Sequence, residues 1–317
     1  MKIAYLLHTE RDYEEIIEIT NQLIKQGDHV FMMINDNSLR DKISFVYADD
    51  LKVHISHTQE FAQEGDLSLA RGTIIQIKEA LDIYAFDYFI NLTDSMLPIK
   101  TRSEIVSYLE EHSGKDFYYI DRNEDPQLRK KAEKYYTFTN LLAFPTSKFV
   151  RGITKATASV LSSLGIRRKL KDSYIIGSPW FILTNESAQK LAAHYDYVST
   201  TFKLSWYPEE MYIPMMMKKF VYDTKEDDHI NNDLRIIGPN GSWEESSGAK
   251  PITEELLEQH PEALFAAKIN TTDNLYLFER YFDKYNQDYL QEEESQKEKE
   301  FIDPEILRDA MNRYKSK

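Results

Sequence analysis

Residues 3–35 read IAYLLHTERDYEEIIEITNQLIKQGDHVFMMIN, and the changes of period within them decide the fold class. Ile3 to Leu7 is an unbroken apolar run of strand length. Tyr13 to Lys25 then carries Ile16, Ile17, Ile19, Leu23 and Ile24 at helical spacing and stops at Gly27. His29 to Asn35 is a second apolar run. Strand, helix and strand joined by short links open a parallel α/β sheet, because parallel neighbours need a crossover connection.

Working outward, Val53 to Ser56 reads as a third short strand and Ser68 to Tyr84 as a long helix with Ile74, Ile75, Ile77 and Leu81 inward. Phe86 to Leu92 is then a strand whose far end delivers Thr93, Asp94 and Ser95, and in an open parallel sheet ligands bind at such strand ends. Ser103 to Glu111 reads as a helix and Phe117 to Ile120 as a strand. Lys148 to Lys171 has Phe149, Ile153, Val160, Leu161 and Leu164 at helical spacing, with a breaker at Gly165. Ser173 to Thr184 is strand-like around a Gly177-Ser178-Pro179 turn, and a helix runs from Glu186 to His194. Residues 223–250 are polar and rich in loop signals. From Thr253 the pattern is largely helical, with Asp303-Pro304 starting a last helix.

The chain has 317 residues, a formal net charge of −14 and no cysteine, which excludes a disulfide scaffold, thiolate zinc sites and a cysteine nucleophile. Its acidity argues against nucleic acid as a partner, since such binders need cationic stripes. The apolar run at the N-terminus is too short for a signal-peptide core or a spanning helix, so the expected compartment is the cytoplasm of a bacterium. The charge is unevenly spread. Residues 129–171 hold 11 basic residues and one acid, Glu133, a net +10 inside a remainder of −24. Such a basic amphipathic segment either lies on an anionic membrane as a peripheral contact or docks its apolar stripe on the sheet with its lysines solvated. Docking is the expectation here.

No Asp-x-Asp occurs anywhere, nor any Gly-x-Gly-x-x-Gly, phosphate-binding Gly-rich loop, His-Glu-x-x-His or Gly-x-Ser-x-Gly. The common hydride, phosphoryl and serine-hydrolase chemistries therefore have no sequence support. Seven blocks in order, IAYLLHT (3–9), HVFMMINDNS (29–38), GDLSLARGTIIQIKEAL (65–81), FDYFINLTDSMLPIKT (86–101), GSPWFILT (177–184), SWYPEEMYIP (205–214) and KPITEELLEQHPEALFAAKI (250–269), together resemble the core-2/I-branching β-1,6-N-acetylglucosaminyltransferases and the related peptide xylosyltransferases. The resemblance spans roughly residues 1–270. It implies an α/β, GT-A-like fold with a mixed, mainly parallel nucleotide-binding sheet flanked by helices, in a domain over 1–270, with residues 271–317 as a helical C-terminal extension. It further implies inverting transfer from a UDP-sugar to a hydroxyl of a glycan or glycoprotein acceptor without a required metal. The missing Asp-x-Asp agrees with the last point.

By the same resemblance, Glu210 in Pro208-Glu209-Glu210 matches the catalytic base, whose task is to take a proton from the attacking hydroxyl. The plain alternative makes Glu209 and Glu210 surface acids opening a helix. Lys268 matches a lysine that contacts the donor diphosphate, with Lys250 or Arg235 as its basic partner. Fixed cations there would stabilise charge on the leaving UDP. Otherwise Lys268 snorkels off an apolar face. His8 and Asp36 match positions contacting uracil and ribose, though Asp36 in NDNS would equally form a turn or cap. Asp94 and Ser95 fill a loop where the family places an Asp at the position of Met96. Likewise Glu64 stands where a tryptophan often precedes the glycine. Trp180 and Trp206 are candidate sugar platforms or core residues, and Asp121 and Arg129 lie in the acceptor region. Two rival readings stay open: a Mn²⁺-dependent transferase using Asp94 or Asp36, and a non-catalytic nucleotide- or glycan-binding partner of another transferase.

Overall fold

The structure is a computed structural model describing residues 1–9, 13–56, 58, 60, 63–93, 95–123, 126–141, 147–222, 229–237, 252–267, 269 and 274–300. Four parallel strands form its first half: β1 (Ile3–Thr9), β2 (His29–Ile34), β3 (Val53–Ile55) and β4 (Tyr88–Thr93), in the order β3-β2-β1-β4. The crossovers are α1 (Tyr13–Ile24), α2 (Asn37–Val46) and α3 (Leu67–Ile83). Ile3 to Leu7 are all fully buried, which is why β1 reads as a continuous apolar run: a central parallel strand is covered on both faces. Buried Gln76 of α3 donates to Leu7 O (3.1 Å) and Phe31 O (2.8 Å), tying that helix to the two central strands.

After β4 come β5 (Met96–Pro98), α4 (Arg102–Glu111), β6 (Asp116–Asn123), α5 (Pro126–Ala132), α6 (Lys148–Ser163) and β7 (Ile175–Thr184). β7 inserts antiparallel between β4 and β6, and β8 (His229–Ile230) adds parallel to β6. The seven strands thus make the mixed, mainly parallel sheet flanked by helices that the resemblance implies. The helices α7 (Asn185–Ala192), α8 (Tyr195–Thr201) and α9 (Tyr212–Met216) follow β7, and a second sheet of three short strands is built from β5, β9 (Arg235–Ile236) and β10 (Phe265–Ala267). Met96 pairs with Ala267 there and is fully buried. An aspartate at this position would need a partner in the core, so the departure from the family pattern fits the local packing.

Two sequence expectations are corrected. No turn interrupts β7 at Gly177-Ser178-Pro179. Tyr118 pairs with Phe181 and Ile120 with Gly177, so Ser178, Pro179 and Trp180 oppose the single residue Tyr119 in a β-bulge. Strand β7 runs on through it because Asn91 of β4 replaces the missing ladder bonds, donating to Pro179 O (2.9 Å) and accepting from Phe181 N (2.8 Å). At Gly177 a Cβ would stand 2.0 Å from Tyr119 O, so only glycine fits. The second correction concerns α6. Its apolar stripe does not dock on the sheet: Thr154, Ala158 and Ser162 face inward, whereas Phe149, Ile153, Val160 and Leu164 are exposed. The inward face lies on the segment that follows α5, where Lys134 reaches Ser159 (3.4 Å) and Thr137 meets Thr157 (3.4 Å), and the larger side chains stay outside.

Between β9 and β10 lies α10 (Glu254–Gln259), and the chain continues into α11 (Leu275–Phe282), a single turn Lys284–Asn286 and α12 (Gln287–Glu300). That turn is anchored to the main sheet. Fully buried Asp28 accepts from Arg102 (2.6 and 2.9 Å), the Tyr285 hydroxyl (2.6 Å) and Ile3 N (3.0 Å), and Tyr5 donates to Tyr285 (2.9 Å). The helix expected at Asp303-Pro304 lies outside the described residues.

Candidate active site

The C-terminal ends of β1, β2 and β4 share one edge of the sheet, and the bulged segment of β7 lies on the same edge because β7 runs antiparallel to β4. A cleft of about 230 Å³ opens there, lined by Met33 and Asn35 at the end of β2, Arg40 of α2, and Ser56 and Glu60 after β3. Glu60 is ion-paired with Arg71 of α3, which also donates to the Tyr195 hydroxyl (3.0 Å). A broader depression over Tyr13, Asp41 and Phe45 lies on the open flank of α1 and α2.

His8 stands near the end of β1. Its Nε2 lies 3.1 Å from Thr73 Oγ1, and its buried Nδ1 has no partner among the described residues. Burial pushes its pKa down to about 4, so the ring is neutral at pH 7. An orphaned ring nitrogen at a strand end suits a ligand that brings its own donor or acceptor. Asp36 caps α2, accepting from Leu39 N at 2.6 Å, as the turn-and-cap alternative has it.

Pro208–Glu210 form a single 3₁₀ turn packed against β7 and the start of α3. Tyr207 just before it has φ +47°, and Leu204 has φ +57°. Two non-glycine residues in the left-handed region mark a segment whose path is imposed by its surroundings. The two acids differ. Glu209 is not a surface acid: it is buried, its Oε1 accepts from Gly65 N at 2.5 Å, and its buried Oε2 has no partner among the described residues. Burial first, and then the charges of Glu210 and Glu64, push its carboxyl well above the ordinary range. Glu210 is only half-buried. The turn connects to this sheet edge through Tyr212, whose hydroxyl bonds Thr73, the partner of His8.

Trp206 sits half-buried between Tyr136 (ring centroids 5.1 Å) and Tyr207 (5.4 Å), with Lys155 Nζ 4.9 Å from its ring. Arg151 bonds the Tyr207 hydroxyl. Trp180 is part of the bulge and half-buried on the core, and Asp121, half-buried, follows Ile120 opposite Gly177. Ser95 is buried, 3.3 Å from Thr93 Oγ1. The strand register therefore puts His8, Ser95, Asp121 and Trp180 toward one sheet edge, and the turn bearing Glu210 packs on β7 and α3.

Arg235, expected as a possible cation for the diphosphate, is buried and turned to backbone carbonyls. Its guanidinium is buried beneath the bulge, donating to Asp233 O, Asn91 O and Phe181 O and lying 5.3 Å from the Phe265 ring. Burial lowers its pKa to about 10. This arginine supports the bulged backbone. Arg129 bonds Glu133 (3.3 Å) and Leu170 O (2.9 Å), joining α5 to the segment after α6. Asp94, Lys250 and Lys268 lie outside the described residues. The neighbours of Lys268 are held, however: Ala267 pairs with Met96, and Ile269 N donates to Ser95 O at 3.2 Å. Among the described residues no three His, Asp or Glu side chains converge to hold a metal ion.

Sequence reasoning missed Asn91, Thr73 and the inward role of Glu209. A polar residue inside the apolar run FDYFINL was the available signal for Asn91. Thr73 and Glu209 had none, because their partners are distant in sequence.

Among known proteins, the model of the core-2/I-branching enzyme family matches residues 3–264. No curated protein matches the chain. Among solved structures, 41 chains match, including A197 from STIV with 10% identity over 65% of this chain and 81% of that one; its TM-score of 0.25 is too low to bear on the topology.

Proposed function

Because this chain belongs to the core-2/I-branching enzyme family, a family of glycosyltransferases, we propose that it carries a hexose or N-acetylhexosamine from a UDP-sugar to a sugar hydroxyl on a glycoprotein glycan or polysaccharide precursor, in the cytoplasm and with inversion. The observation that carries this reading is the seating of the Pro208–Glu210 turn against β7 and the start of α3, linked through Tyr212 and Thr73 to His8 at the strand ends.

In the proposed reaction the acceptor hydroxyl gives its proton to Glu210 as its oxygen bonds to the anomeric carbon. The bond from that carbon to the diphosphate oxygen breaks, and UDP leaves with the electron pair. Of the two acids only Glu210 is open enough to meet an acceptor. Glu209 is committed to Gly65, and burial pushes its carboxyl well above the ordinary range, which disfavours a second negative charge beside the base. His8 and the cleft by Asn35 and Ser56 would receive the nucleoside. Lys268, matched by the resemblance to a lysine that contacts the donor diphosphate, would supply a fixed cation for the charge on the leaving UDP. Arg235 has no part in this scheme beyond holding the bulge that carries Trp180. Trp180 and Trp206 would offer aromatic faces to sugar rings.

The test is a screen of UDP-sugars by thermal shift and donor turnover, with and without Mn²⁺, on the native chain and Glu210→Gln. The proposal expects UDP-sugar binding in both proteins and turnover only in the native chain. Full turnover by Glu210→Gln with an intact fold would refute the base, and turnover abolished by EDTA would refute metal independence.

A further inference from the structure

The outer face of α6 is unusual for a helix on an acidic protein. Phe149, Ile153, Ala156, Val160 and Leu164 recur at intervals of four, three, four and four residues, which at 100° per residue gathers them into an arc of about 80°. All five are exposed, Phe149 at 76% and Leu164 at 70% of their surface. Ile166 continues the apolar surface past the helix end. Exposed Lys148 opens the helix, and exposed Arg167, Lys169 and Lys171 follow beyond the C-terminal end of the arc. Arg168, by contrast, turns inward to Ala132 O, Ser205 and Thr201 O, fixing the segment to the body.

We propose that this face docks on the surface of an anionic lipid bilayer, its apolar stripe entering the headgroup region and its basic residues meeting the lipid charge. Three points single out that occupant. An exposed apolar arc followed by exposed Arg and Lys is a pattern that lies in a membrane interface. Residues 148–171 hold seven basic residues and no acid inside a chain of net charge −14, so a negative surface attracts this segment and repels the acidic remainder. A second copy of the chain fits poorly: a helix of 16 residues is about 24 Å long and covers far less than the roughly 1,000 Å² that stable interfaces bury. A twofold pairing would also bring like charges together. No helix among the described residues is long and apolar enough to cross a membrane, so the contact is peripheral. It stands independently of the transferase reading. It also has a geometric consequence: Lys155 covers Trp206 and Arg151 bonds Tyr207, so the loop bearing Glu210 is held next to the docked helix.

The test is co-sedimentation of the full chain with vesicles of phosphatidylcholine alone and with about 30 mol% phosphatidylglycerol added. The chain should pellet with the anionic vesicles only, and should be released at about 0.5 M NaCl, where charge is screened within a few ångströms. Phe149→Ser with Leu164→Ser should weaken binding about tenfold or more, because both side chains lose their apolar burial. Lys148→Glu with Lys169→Glu should weaken it comparably. These positions are exposed, so circular dichroism and Tm should match the native chain and confirm folding. The proposal is overturned by absent pelleting, by pelleting indifferent to lipid charge, by variants that bind like the native chain, or by a discrete dimer that Phe149→Ser dissolves.

Discussion

Exchanging the two neighbouring acids one at a time separates chemistry from architecture. Glu210→Gln removes the proton acceptor while keeping shape and hydrogen-bonding capacity. General-base catalysis is worth about 10²- to 10⁴-fold, so kcat should fall by that factor, equivalent to about 3 to 5 kcal/mol of barrier, with KM little changed. Glu209→Gln keeps a carbonyl oxygen for Gly65 N, now 2.5 Å from Oε1, and should leave kcat within a few-fold. Glu209→Leu instead strands that buried N–H and should cost about 1 to 3 kcal/mol of stability. The sign of the pH effect is also set. The folded-state pKa of Glu209 is raised, so the stability it contributes is complete below its unfolded value and is lost as pH rises; Glu209→Gln should therefore flatten the decline of stability toward alkaline pH. Initial rates of transfer at saturating donor, paired with urea titrations at several pH values, measure both sides. An inactive Glu209→Gln beside an active Glu210→Gln would invert the assignment and refute the argument from burial.

Other consequences are equally concrete. His8 has a folded-state pKa near 4 against an ordinary 6.5, so stability it supports above pH 6.5 should be lost as pH falls toward 4, by up to about 3 kcal/mol; denaturant titrations of the native chain and His8→Asn should diverge across that window. Asp28→Asn weakens the buried link between Arg102, Tyr285 and β1 and leaves the Arg102 charge without its counterion, at a cost of about 3 to 5 kcal/mol, visible as a lowered Tm. Gly177→Ala drives a methyl group to 2.0 Å from Tyr119 O, and because backbone must move, the loss should exceed about 3 kcal/mol or abolish folding, as read by soluble yield and circular dichroism.

The parallel half of the sheet was legible because its signals are local. Ile3 to Leu7, the spaced apolar residues of α1 and the run His29 to Asn35 each state their own element, and short links force the crossovers. The Pro-Glu-Glu segment was likewise visible as a candidate. What separates Glu209 from Glu210 was not, since it rests on Gly65, 144 residues away. Arg235 reads in sequence as a cation available to a diphosphate, yet β9 places it under Asn91 and Phe181.

The residues by themselves determined the class of the sheet, the family resemblance and the set of side chains able to take a proton or hold a charge. Tertiary structure alone decided which of them face the cleft. It buried one glutamate and left its neighbour open, turned Gly177-Ser178-Pro179-Trp180 from a turn into a bulge bridged by Asn91, and set α6 down on Thr154, Ala158 and Ser162 with its large apolar residues outward. Periodicity marks two faces of a helix but not which one meets the body. That choice depends on which distant segments lie against the helix, here the one after α5, and no local pattern records it.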